Sequence, residues 1–214
     1  MEAPAPNTVR LGVLIDGFNF YHSIDDAIQA DVATPDAKWF DYWALAESFL
    51  HQINVPGQKE LTSVDYFSAY AHFRGPLHVK RHRALVDANK GRGVVAHMHR
   101  FKKRRRKCHD CRVTQTSHEE KETDVAMAIH LMRLFAEDKV DVAVLVTGDT
   151  DLLPAIKATF ELWPHAMIWA GFPYKRKNKE LAEALTGSFR IGPGAYPRLA
   201  LRDTATRPSE WSSE

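Results

Sequence analysis

Two short apolar runs, far apart in the chain, each end in an acidic turn. Val13-Leu14-Ile15 leads into Asp16-Gly17-Phe18-Asn19, and Val142-Ala143-Val144-Leu145-Val146 leads into Thr147-Gly148-Asp149-Thr150-Asp151. Near-continuous β-branched runs bounded by turn residues read as strands buried on both faces, the pattern of a parallel sheet. Other apolar segments alternate between strand and helix spacing along most of the chain. Residues 9–15, 61–71, 94–101, 141–146 and 166–170 read as strands, with 189–191 as a last edge strand. Residues 20–30, 39–53, 77–90, 119–137, 152–162 and 179–186 read as helices, with 31–38 a loop. The clearest helix is 119–137, where Val125, Ile129, Met132 and Phe135 recur at helical spacing, widened by Ala126, Ala128, Leu131 and Leu134. This alternation predicts an α/β protein, a three-layer α/β/α sandwich around a mostly parallel central sheet.

In such sheets ligand sites form at the carboxyl ends of strands, near the point where strand order reverses. Asp16, Asp149 and Asp151 would all be delivered there. Asp124 is a fourth candidate, near the start of the strongest helix and three residues before Met127 on its apolar side. A charge at the edge of a buried stripe is costly unless a partner or a metal takes it up. Carboxylates gathered on one rim repel each other unless a cation sits among them. An oxygen-only ligand set suits Mg²⁺ or Mn²⁺. Asn19 adds a polar group three residues past Asp16, suited to a water or phosphate oxygen, or to capping the following helix.

Asp-Gly-Phe-Asn after a first strand, Lys-Glu-Thr-Asp-Val-Ala at a helix start and Thr-Gly-Asp-Thr-Asp-Leu after a later strand together resemble the NYN domain, a branch of the PIN-like nuclease fold. The resemblance covers roughly residues 9–191. It implies Mg²⁺- or Mn²⁺-dependent hydrolysis of RNA phosphodiester bonds, with Asp16, Asp124, Asp149 and Asp151 as the metal site and Asn19 in support. Where the family often has a Ser opening the last short helix, this chain has Asn178 or Lys179. One or two carboxylate-held divalent ions can activate a water and neutralise phosphate charge without a positioned His.

The formal net charge of +2 hides an asymmetry. Residues 97–112 hold eight Lys/Arg against one Asp, a local +7 that leaves the rest at −5. Lys102, Lys103, Arg104, Arg105, Arg106 and Lys107 form a candidate surface for an RNA backbone, with Lys175, Arg176 and Lys177 as a smaller one. Phe172 and Tyr174, beside the second cluster, could stack on unpaired bases or simply pack. Cys108 and Cys111 have the spacing of half a zinc site. His97, His99, His109 or His118 would have to complete it, and the alternative is a free reduced pair in a loop. This makes 102–118 a basic CxxC insertion in a single domain spanning 9–191.

Pro193, Pro197, Pro208 and a Ser-rich end predict a flexible tail over 192–214. No run approaches the length of a membrane span, nothing at the start resembles a secretory signal, and two cysteines make no disulfide framework, so a cytoplasmic location is expected. A homo-oligomer is compatible with the sequence. Two other functions fit parts of it. One is a non-catalytic RNA-binding or adaptor module on the same fold. The other is a haloacid-dehalogenase-like phosphatase, which would need an acidic residue where Phe18 stands.

Overall fold

The computed structural model describes residues 8–107, 114–201 and 207. Among them, seven strands form one sheet: β1 (Thr8–Asp16), β2 (Gln58–Tyr70), β3 (Val95–Lys107), β4 (Thr114–Lys121), β5 (Val142–Val146), β6 (Met167–Phe172) and β7 (Gly187–Arg190). Their spatial order is β4-β3-β2-β1-β5-β6-β7. All neighbours are parallel except the β3–β4 pair at one edge. The helices are α1 (Gly17–Gln29), α2 (Tyr42–Ser48), α3 (Pro76–Gly91), α4 (Thr123–Ala136), α5 (Leu153–Leu162), α6 (Lys179–Ala184) and α7 (Ala195–Arg198).

Two hydrophobic layers explain why β5 is apolar throughout and why β1 is buried from Leu11 onward. Leu11, Val13 and Ile15 of β1 meet Phe20 and Ile24 of α1 and Leu45 of α2 on one face. Leu14, on the opposite pleat, meets Leu131 of α4 and Ile156 of α5 on the other. The three-layer α/β/α expectation is therefore met. Strand order reverses beside β1, whose neighbours are β2 and β5. The chain leaves β1 into α1 on one layer and leaves β5 towards α5 on the other. The diverging exits open a crevice at their carboxyl ends.

Several elements differ from the sequence reading. The basic segment is not a loop after residue 101: β3 continues to Lys107 and pairs antiparallel with β4. Residues 119–121 belong to β4, so α4 starts only at Thr123. Its buried side carries Met127, Leu131, Leu134 and Phe135, while Val125 and Ile129 face outward at 64% and 55% exposure. The helix expected over 39–53 is shorter because Asp41 caps it, its carboxylate accepting from the Ala44 amide at 2.9 Å, and a 3₁₀ turn follows at Leu50–Gln52. Residues 192–201, expected to belong to a flexible tail, pack onto the domain instead. Tyr196 of α7 is fully buried among Phe20 and Phe40, and its hydroxyl pairs with Ser23 at 2.9 Å. Residues 202–206 and 208–214 lie outside the described residues.

Candidate metal centre

Asp16 ends β1 and caps α1. Its Oδ1 accepts from the Asn19 amide at 2.9 Å, which is why the helix starts at Gly17, earlier than periodicity alone places it. Its Oδ2 accepts from the Thr147 hydroxyl at 2.8 Å, and the same Thr147 oxygen accepts from the Asp149 amide at 3.1 Å. Asn19 does not cap the helix. Its side-chain oxygen accepts from the Gly148 amide at 3.2 Å, tying the exit of β1 to the exit of β5. Asp149 is fixed in turn, its Oδ1 accepting from the Asp151 amide at 3.0 Å.

Two glycines let these turns close. A Cβ on Gly17 would lie 2.6 Å from the Tyr66 ring. A Cβ on Gly148 would lie 2.1 Å from the Arg176 carbonyl oxygen, a backbone atom that cannot rotate away. Gly148→Ala is therefore expected to cost about 1–3 kcal/mol of stability, roughly 2–4 °C in Tm for each kcal/mol, and to displace Asp149. Thermal denaturation checks it; an unchanged Tm would show that the 173–178 loop yields freely.

Asp124 arrives from the far side. Glu122 takes left-handed backbone (φ 78°) at the junction of β4 and α4, held by Arg100 at 3.0 Å, and Asp124 follows in the first turn of the helix. Carboxylate oxygens of Asp16, Asp124 and Asp149 all lie within 4.8 Å of one another. Asp16 is 6% exposed. Burial pushes its carboxyl up to about 6, against the pull of the Asn19 amide and the Thr147 hydroxyl, with Asp124 and Asp149 adding to the rise. Asp124, although solvent-exposed, is also raised, by partial desolvation of its carboxyl and then by Asp149 and Asp151. Asp151 is exposed and stands outside the converging trio, braced against Asp149 and acting on Asp124 through its charge. Three carboxylates at this spacing, two of them held in a protonation-prone state by one another and by burial, fit a hard divalent cation.

The match of the NYN domain family model to residues 10–184 decides the family. The chain belongs to the NYN domain family. No curated protein matches its sequence significantly. Among solved structures, the crystal structure of a protein of unknown function from Vibrio parahaemolyticus is similar at 16% identity and a TM-score of 0.58, covering 89% of this chain and 97% of that one. That likeness supports the fold alone. Family membership sets aside the phosphatase alternative, and Phe18 occupies the position where that chemistry needs an acid.

Around the NYN domain's carboxylate rim, Lys102, Lys103 and Arg104 are exposed on β3. The side chains of Arg105, Arg106 and Lys107 lie outside the described residues, as do Cys108 and Cys111. Of the histidines considered for a zinc there, His97 contacts Asp65 at 2.8 Å and His118 stacks on Phe73 at 4.1 Å between ring centroids. In the second basic cluster Lys175 and Lys177 are exposed, whereas Arg176 is ion-paired with Asp26 at 2.6 Å. Phe172 is 1% exposed, so it is a core residue and stacks on nothing outside. Asn178 caps α6, accepting from the Leu181 amide at 3.1 Å.

The exposed rings are elsewhere. Phe18 and Phe73, each 45% exposed, flank Phe101 at 6.3 and 5.1 Å between centroids, and His22 and His118 extend the row at its ends. This aromatic row starts two residues after Asp16. Its members come from α1, the turn at His72–Arg74, β3 and β4, so no local sequence pattern joins them. The only sequence signal was Phe18 inside the first acidic turn.

Proposed function

We propose that this NYN domain is a Mg²⁺- or Mn²⁺-dependent ribonuclease acting on single-stranded RNA. The observation that carries the proposal is the convergence of Asp16, Asp124 and Asp149 from three elements at the reversal point of the sheet. When bound, the divalent cation would neutralise charge on the phosphodiester and acidify the attacking water. Asp16, Asp124 and Asp149 would hold it, with Asp151 at the outer edge. Asp16 must give up its proton first, and the Thr147 hydroxyl and Asn19 amide favour its charged form. Asn19 acts as a positioning residue by fixing Gly148, and so Asp149, relative to β1. Water attacks phosphorus, the bond to one ribose oxygen breaks, and the backbone leaves as two ends.

Family membership supports action on nucleic acid, and the surroundings favour an unpaired strand. Exposed cations on β3 supply attraction to the backbone, and the row of Phe18, Phe101 and Phe73 offers ring faces on which bases stack, worth about 1–3 kcal/mol per base. Purified protein should cleave a single-stranded RNA oligonucleotide in Mn²⁺ or Mg²⁺ and lose that activity in EDTA, with a duplex of the same sequence cut more slowly. RNA binding with no cleavage in either metal would make the domain a non-catalytic binder.

Basic β3 should serve affinity only. Replacing Arg104, Arg105 and Arg106 together by Ala is expected to weaken RNA binding and lower the slope of log affinity against log salt by roughly 0.7 for each phosphate left without its cation. A slope identical to the parent protein's would reduce this strand to a solvated edge.

A further inference from the structure

A second cluster of metal-ligating side chains sits between α4 and the sheet and shares no residue with the carboxylate rim. Asp65 projects from β2, His97 from β3 and His130 from α4. Nε2 of His97 lies 2.8 Å from Asp65 Oδ1, and Nε2 of His130 lies 3.2 Å from that same oxygen. All three ligand atoms fall within 4.8 Å of one another. We propose that Asp65, His97 and His130 form a binding site for a divalent transition-metal ion of the zinc class, held by two imidazole nitrogens and one carboxylate.

A plain ion pair leaves too much unexplained. Asp65 is 2% exposed, and its Oδ2 has no well-aligned hydrogen-bond partner among the described residues, although the Ser63 hydroxyl also acts on this carboxylate. His130 Nε2 is also buried without one, because its approach to Asp65 lacks the alignment of an N–H donor. Two ring nitrogens and a carboxylate oxygen converge here. They suit a cation well, since imidazole lone pairs and a carboxylate then share one centre. Tetrahedral zinc with bonds of about 2.0–2.2 Å sets its ligand atoms about 3.4 Å apart, so the His97 and His130 contacts to Asp65 would open by about 0.6 and about 0.2 Å. Mixed nitrogen and oxygen ligands favour zinc and its neighbours over Mg²⁺, which the all-oxygen rim suits.

One aromatic ring packs against both imidazoles of the trio. The Phe67 ring stacks on His97 at 4.4 Å, nearly parallel, and meets His130 edge-on at 5.5 Å, fixing both imidazole planes. The side chains of His97 and His130 keep 29% and 20% exposure, although His130 Nε2 and Asp65 Oδ2 are themselves buried, so the trio lies just beneath the surface. An ion here would bond α4 to β2 and β3 less than two turns along the helix from Asp124. It would thereby brace the helix that presents Asp124 to the rim.

The test uses full-length protein carrying Cys108→Ser and Cys111→Ser, so that no thiolate competes, stripped with chelator and returned to excess Mg²⁺. Titrated with Zn²⁺, it should retain about one equivalent through gel filtration and melt at a higher temperature. Co²⁺ should give a visible ligand-field spectrum without a thiolate charge-transfer band. His97→Gln and His130→Gln should each weaken Zn²⁺ binding by more than the roughly 10- to 100-fold that disturbing a mere neighbour of a ligand costs, whereas Asp149→Asn should leave it intact. Circular dichroism identifies a variant that fails to fold, and the Co²⁺ spectrum of the unmutated trio decides independently of either variant. Folded protein that takes up no Zn²⁺ and gives no Co²⁺ spectrum would overturn the proposal. So would uptake that persists unchanged in both histidine variants.

Discussion

Asp149→Asn is expected to reduce metal-dependent RNA cleavage by about a thousandfold or more while leaving the fold intact. Lewis-acid stabilisation of a transferring phosphoryl group is worth several kcal/mol, and each 1.36 kcal/mol is tenfold in rate. Asparagine keeps the Oδ1 that accepts from the Asp151 amide, so the turn at the start of α5 survives. What it removes is one of the charges that raise Asp16 and Asp124. In EDTA the variant should therefore melt at the same temperature as the parent or higher. A lower Tm in EDTA together with lost activity would instead mark Asp149 as a structural cap.

The next largest effect is on pH. Burial first, then Asp124 and Asp149, raise the folded-state carboxyl of Asp16 from 3.8 to about 6. A raised carboxyl means that the folded protein binds this proton more tightly than the unfolded chain does. Its contribution to metal-free stability is therefore greatest below about pH 4, falls as pH rises towards 6, and stays low above that. A shift of about 2 pH units corresponds to about 3 kcal/mol. Asp16→Asn removes this penalty but keeps an acceptor for the Asn19 amide. Metal-free Asp16→Asn should thus gain on the parent progressively between pH 4 and 6. The same proton competes with the cation, so affinity for Mn²⁺ should fall about tenfold per unit below pH 6. Thermal melts in EDTA across this range check the first statement and Mn²⁺ titrations the second. Parallel stability profiles for the two proteins would contradict it.

How far the sequence reached depended on how local each signal was. Strands β1 and β5 were legible because both faces are covered and the runs Val13–Ile15 and Val142–Val146 are unbroken and apolar. Turn chemistry and helix starts flag Asp16, Asp149 and Asp124 singly in the sequence, and only the fold shows that their carboxylates converge. Helix α4 was recognised with part of its buried side mistaken, since it is apolar nearly all round and two stripes fit the same period. What turns Leu131 and Leu134 inward, and leaves Val125 and Ile129 out, is packing against Leu14 and Leu145, which no local pattern records. Strand β4 was missed because Thr114–Lys121 has no apolar alternation. It is an edge strand, and its extended backbone exists by pairing with β3 along the whole of Arg100–Lys107. The aromatic row and the Asp65–His97–His130 cluster draw on three or four elements each, and only the folded sheet assembles them.

Anomalous X-ray scattering from a crystal soaked in Mn²⁺ tests the central claim most directly. The predicted result is a peak between the carboxylates of Asp16, Asp124 and Asp149, absent from the Asp149→Asn protein under the same soak. Full occupancy of the crystal by Mn²⁺ elsewhere, with no peak among these three carboxylates at a pH well above 6, would contradict it.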